Sequence, residues 1–316
     1  MQLHTFAADS PIKIIGKSKA KMSNLRIIKD RTASGAMRTV TIVALAFVLV
    51  MGWGLYRKSA PILSEIPLWD LLTDSTWQPF KNKFGFFPFV MGTIWVTVIA
   101  VIIALPLSLF TAVFLTEYSR RFVRKIVYPA LDILASLPSV IYGVWGTLVV
   151  VPWISDKLAP YFVSFSTGYT TLAAGIVLSI MILPLLVSLF VELFTSVSNE
   201  LRDSSYALGA TRWQTAQSVV LRKSLPGVFA SVVLAISRAL GETIAVLMVC
   251  GNLPAVPHSV FDSCYPIPAL IANNYGEMLS LPMYESALMF AALLLFVVVL
   301  VFNLASRLVL RKIEQK

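Results

Sequence analysis

This sequence is short of charge. Asp, Glu, Lys and Arg make up only 13% of its 316 residues against 57% hydrophobic ones, too little polar surface for a water-soluble fold. Cysteine is scarce as well. Cys250 and Cys264 are its only two, which excludes a disulfide scaffold or a thiolate zinc site, and no bridge between them is expected. Histidine is limited to His4 and His258. With no HExxH, no paired Asp-rich motif and no nucleophile elbow, an intramembrane enzyme lacks its machinery, and no catalytic residue or metal is expected. The formal charge of +10 does not indicate nucleic acid, because the basic residues sit at the ends of apolar runs rather than on one folded face. Gly16-Lys17-Ser18 imitates the end of a phosphate-binding loop, but Pro11 stands where the motif needs Gly, so no ATP site or other cofactor is expected on this chain.

What is present is long apolar sequence. Six stretches, 40–56, 89–116, 126–151, 169–194, 227–253 and 284–306, approach or exceed the length that crosses a hydrocarbon layer of about 30 Å as helix. Lipid offers no partner to an unpaired peptide group, so these runs must be helices. The expected fold is all-α, a polytopic bundle of about six spans. It divides into a basic arm (1–37), a membrane domain (38–306) and a short tail (307–316). The first apolar run is too long for a signal core and no cleavage pattern follows it, so it is expected to remain as a span. Twenty of the 26 Lys and Arg lie in the arm, the tail and the loops on their side, five lie in the alternate loops, and Arg238 falls inside a span. That bias predicts cytoplasmic termini, with 57–88 and 254–282 external and 195–226 cytoplasmic. The arm is a solvated basic segment suited to anionic lipid. Aromatic residues through 57–88, among them Trp69, Trp77, Phe80, Phe84, Phe86 and Phe87, are expected at the headgroup layer.

The cytoplasmic loop reads as a helical hairpin. A helix over 200–208 ends at Gly209, a left-handed stop, and Thr211 with Gln214 three residues later forms a capping box for a second helix, 212–222, which Pro226-Gly227 closes. Inside the fifth span, Arg238 and Glu242 are four residues apart, the spacing of a same-face ion pair near mid-membrane. Such a pair either fixes packing or presents a planar cationic fork to an oxyanion, with the carboxylate weakening the field enough for release. Ser139, Thr243, Thr93 and Thr97 are lesser candidates, hydroxyls near prolines or glycines that either line a polar path, for which Ser139 and Thr243 are chosen, or bond back to their own helices as most hydroxyls in spans do. Pro106, Pro138 and Pro184 are expected to kink their helices.

The segment Leu201-Arg202-Asp203-Ser204-Ser205-Tyr206-Ala207-Leu208-Gly209-Ala210-Thr211-Arg212-Trp213 resembles the EAA loop of ABC-importer permeases, with Gly209 at the motif glycine, Asp203, Ser204 and Ser205 in place of Glu-Ala-Ala, and Arg222 where Pro normally follows Leu221. Trp77-Gln78-Pro79, Phe84 to Pro88, Leu137 to Gly143, Met181 to Pro184, and Arg238 to Thr243 are similar to the PstC-type phosphate permeases of that family. The resemblance implies a type I importer fold in the bacterial inner membrane. It also implies phosphate as substrate, delivered by a periplasmic phosphate-binding protein, with a second homologous permease and two cytoplasmic ATPase subunits that carry the ATP. Asp203, Ser204, Ser205, Gly209, Thr211 and Arg212 would then contact the ATPase, and Arg238 and Glu242 the anion. Another oxyanion such as sulfate, or an ion-coupled secondary transporter with Glu242 carrying a proton, are the alternatives.

Overall fold

The computed structural model describes residues 24–276 and 282–314. Most of the basic arm, including the Gly16-Lys17-Ser18 stretch, and part of the second external loop lie outside the described residues. The chain divides into two compact units, 1–51 and 52–316.

Helix α1 (Asn24–Glu65) is followed by α2 (Leu68–Thr73) and a hairpin of β1 (Trp77–Gln78) and β2 (Lys83–Phe84), antiparallel with Trp77 opposite Phe84. Next come α3 (Phe87–Val113), α4 (Arg121–Ser136), α5 (Ser139–Trp145), α6 (Val151–Trp153), α7 (Thr171–Thr195), α8 (Asn199–Ala207), α9 (Arg212–Thr215), α10 (Arg222–Leu240), α11 (Ile244–Leu247), α12 (Ile267–Asn274) and α13 (Pro282–Glu314). π-helical stretches extend α3 to Tyr118, join α5 to α6 and link α9 to α10. Among the described residues six helical runs are long and apolar enough to cross a membrane: Lys29–Glu65, Phe87–Tyr118, Ser139–Tyr161, Thr171–Thr195, Arg212–Leu240 and Pro282–Arg311. The expected number of spans is met.

Helix α7 is the centre of the second unit. Its side chains are apolar on every face, the pattern of a helix with neighbours all round. It packs against α3, α4, α10 and α11, burying Val177, Leu178, Ile182, Leu186 and Phe190.

Three expectations about boundaries change. The run 126–151 is two helices. Amphipathic α4 ends where Leu137 turns extended (φ −64°, ψ 135°), and the span starts after Pro138; proline crowds the residue before it out of helical geometry. The fifth span starts earlier, at Arg212, and ends earlier, at Leu240, rather than covering 227–253. Pro226 and Gly227 do not close the hairpin but lie inside the continuous helix, where a side chain at 227 would come within 2.4 Å of Leu193 on α7. Pro106 and Pro184 likewise sit within unbroken helices.

The aromatic residues of 57–88 divide. Trp69 and Phe80 are exposed, but Phe84 and Phe86 are buried with Phe89, Tyr265 and Tyr284 around Trp77, whose ring meets that of Phe89 edge-on at 4.8 Å. This group is a packed core beneath the β-hairpin rather than a headgroup belt, because α12 and α13 return to cover it.

Candidate functional site: a broken fifth helix and a cytoplasmic hairpin

The hairpin forms as its capping residues dictate. Gly209 adopts φ +82°, its N–H reaches Tyr206 O at 2.9 Å, and the Ala210 N–H reaches Ser205 O at 3.2 Å. These two bonds satisfy carbonyls that the end of α8 leaves open, in a geometry that favours glycine. Gln214 N donates to Thr211 Oγ1 at 3.3 Å, and Thr211 N donates to Gln214 Oε1 at 2.8 Å, completing the capping box. Ser205 Oγ and Thr215 Oγ1, 2.9 Å apart, tie the two helices together, while Ser204 Oγ turns back to Glu200 O. Asp203, Gly209, Thr211 and Arg212 are exposed. Leu201, Tyr206, Trp213 and above all Leu208, 90% exposed, present an apolar edge beside them.

Sequence reasoning missed what anchors this hairpin. Arg202 Nη2 lies 3.2 Å from Glu117 Oε1, at the end of the second span, and donates to Phe194 O at 2.6 Å. Its Nη1 donates to Val197 O and to Asn199 Oδ1. The guanidinium therefore closes the carbonyl end of α7 and meets a carboxylate from another span. The pair is buried, with side chains 13% and 5% exposed. Glu117 is 85 residues away, a separation across which no local pattern operates; the one available signal was a lone acid at the end of an apolar run.

The second cluster gathers where two spans are interrupted. Helix α10 ends one turn after Ser237, whose hydroxyl meets Asn303 Oδ1 of α13 at 3.2 Å. Gly241 N and Glu242 N bond back to Arg238 O and Ala239 O, and the chain leaves the helix there. The expected same-face pairing of Arg238 with Glu242 is thus absent, because its i, i+4 geometry requires a helix that has already stopped. Glu242 Oε1 instead accepts from Ala245 N at 3.3 Å, at the start of α11. The ion pairs among the described residues are Lys58 with Glu285 and Arg202 with Glu117. Arg238 is exposed and forms none. Its position in the last turn of α10 suits the partial negative charge of a helix end.

Helix α11 packs on α5 at Gly143, where a side chain would come within 2.6 Å of Met248 Sδ and 3.2 Å of Ala245 Cα. Thr147 Oγ1 reaches Met248 O at 3.3 Å from the same face. The fold thereby brings α5, whose first residue is Ser139, against α11 just beyond the interruption. Thr243 Oγ1 bonds to Gly241 O at 3.3 Å. Thr97 bonds back to its own helix, and Thr93, besides doing the same, accepts from Ile267 N at 3.0 Å and so caps α12. Thr93 and Thr97 are thus engaged in packing.

The chain is similar to known proteins in sequence and fold. Residues 104–315 match the family described as the binding-protein-dependent transport system inner membrane component. The phosphate transport system permease protein PstC of Xylella fastidiosa is 34% identical over 92% of this chain and 94% of its own length. PstC of Haemophilus influenzae is 34% identical over 92% and 94%. In fold, the chain resembles a bacterial alginate ABC transporter solved with an alginate-bound periplasmic protein, at TM-score 0.62 and 16% identity over 91% of this chain and 98% of that one. The match across both the hairpin and the interrupted fifth span, together with the identity to relatives along nearly the whole length, places this chain in the binding-protein-dependent inner membrane transport family.

Proposed function

We propose that this chain is a permease subunit of an ATP-driven importer that moves inorganic phosphate across the inner membrane. The observation that carries the reading is the 34% identity to a phosphate permease over 92% of the chain. In this reading a periplasmic phosphate-binding protein delivers the anion, a second homologous permease completes the path, and two cytoplasmic ATPase subunits hold the ATP. Both termini and the hairpin lie on the cytoplasmic side, following the bias of Lys and Arg.

Arg238 is the residue that meets phosphate. Its planar fork suits a tetrahedral oxyanion, and its freedom from a carboxylate leaves that fork available. Glu242 shapes the interrupted segment through α11, and its charge nearby limits how tightly an anion is held, as release requires. Ser139 and Thr243 supply hydroxyls along the path. At the other end, Asp203, Ser204, Ser205, Gly209, Thr211 and Arg212, with the apolar edge of Leu208 and Trp213, dock on the ATPase. Arg202 transmits the ATPase movement to α7 and to the second span through Glu117.

The test is uptake of radiolabelled phosphate and of sulfate into vesicles holding this chain with its second permease, the ATPase and the binding protein. ATP-dependent phosphate uptake is expected. Uptake of sulfate alone would replace the substrate, and uptake without ATP would overturn the coupling.

A further inference from the structure

Cys250 and Cys264 are both fully buried and belong to one packed cluster. The backbone brings them together: Cys264 N donates to Cys250 O at 2.9 Å, and Gly251 bridges Cys264 in parallel register. Two Cα atoms linked through one such bond lie within the roughly 4.4–6.8 Å that a disulfide spans. In the structure both are free thiols, and Cys250 Sγ lies 3.1 Å from Asn252 Oδ1. The surrounding turn is held firmly, by Ser263 Oγ to Tyr169 O at 2.7 Å, Asn252 Nδ2 to Leu247 O at 2.9 Å, and Thr171 N to Asp262 O at 2.8 Å. Gly251 and Ser263, the chain neighbours of the two cysteines, line a cavity of about 440 Å³ with Tyr169, Met248 and Asn252.

We infer that Cys250 and Cys264 form an intramolecular disulfide in the mature protein, tying the chain that leaves the interrupted fifth span to the loop that precedes α12. The inference rests on the orientation proposed above, which puts this loop on the oxidising side of the membrane. The oxidant is a disulfide-bearing thiol oxidoreductase. The Cys264 thiolate attacks one sulfur of that disulfide and expels the other as a thiolate, giving a mixed disulfide. The Cys250 thiolate then attacks Cys264 sulfur and releases the oxidant's second thiol. Two thiol protons and two electrons leave the pair, and the oxidant's disulfide becomes two thiols.

The local chemistry supports that order. Hydrogen bonding from Cys250 lowers the pKa of Cys264 below that of an ordinary thiol, and the same contact together with burial pushes Cys250 well up. Cys264 is therefore the first nucleophile. Once formed, the cross-link closes the segment Gly251–Ser263 and holds the cavity wall rigid.

The test uses the full chain in native membranes prepared without reductant, quenched in acid, denatured, and treated with polyethylene glycol maleimide. No adduct is expected before reduction and two after it, while Cys250→Ser gives one adduct in both. Two adducts before reduction overturn the disulfide. In a parallel arm, Leu253→Cys in a background lacking both native cysteines is exposed to a membrane-impermeant maleimide on spheroplasts. Labelling there with free native thiols rejects the disulfide alone; absence of labelling, with labelling restored after permeabilisation, rejects the orientation and the disulfide with it.

Discussion

Replacing Arg202 by Ala removes one guanidinium from two structural duties. It leaves Glu117, 5% exposed, as a carboxylate without its partner, and it frees the Phe194 and Val197 carbonyls at the end of α7. An exposed ion pair contributes at most about 1 kcal/mol, but breaking a buried one by deleting a single partner costs about 3–5 kcal/mol, because the remaining charge stays desolvated. With side chains 13% and 5% exposed, this pair belongs to the second regime. Glu117→Gln is milder, since the amide oxygen still accepts from the guanidinium; losing a hydrogen bond to a charged group costs about 1.5–3 kcal/mol. Arg202→Ala combined with Glu117→Gln removes both charges, so its cost falls below the sum of the single effects by about 1–3 kcal/mol. Equilibrium unfolding of the purified protein in mixed micelles, followed by tryptophan fluorescence, measures all three variants. Additive effects, or an Arg202→Ala cost under about 1 kcal/mol, would refute the assignment of a buried clamp.

Arg238→Gln is expected to abolish phosphate uptake with normal membrane insertion, and Arg238→Lys to recover only part of it because an ammonium lacks the fork; wild-type uptake in Arg238→Gln removes the residue from the path. Glu242→Gln keeps an acceptor oxygen for Ala245 N but removes the charge that eases release, so uptake should persist at a lower maximal rate, in contrast to its loss in Arg238→Gln; an unchanged maximal rate would remove the Glu242 charge from the release step. Gly209→Val forces a β-branched residue to φ +82° at about 1–2 kcal/mol, so copurification of the ATPase should fall. Gly143→Leu drives α5 from α11, where even a Cβ meets Met248 Sδ at 2.6 Å, and uptake should be lost although the protein still inserts.

The parts of the molecule legible beforehand are those governed by neighbours in the chain. The hairpin is such a case, since a glycine stop and a capping box act within four residues. Membrane spans are another, because lipid forces a long apolar run into helix whatever its partners. Leu137-Pro138 also carried a local warning of a helix boundary, overridden by the hydropathy of the residues around it. Hydropathy registers burial in lipid or protein alike and is blind to where a helix stops, so it ran the fifth span on to 253 and placed Glu242 one turn above Arg238.

Other features had no local signature. The clamp between Arg202 and Glu117, the aromatic core around Trp77, the approach of α11 to Gly143 and the meeting of Cys250 with Cys264 join residues far apart in sequence. Their partners are chosen by how helices pack and where the chain turns back. The amino-acid sequence by itself determined the solvent, the helical class, the number of spans and the capped hairpin, because hydrophobicity and capping are properties of short segments. Only tertiary structure decided which charges pair, where the fifth helix ends and which residues line the same space, because contact energies depend on distances that folding, rather than chain order, creates.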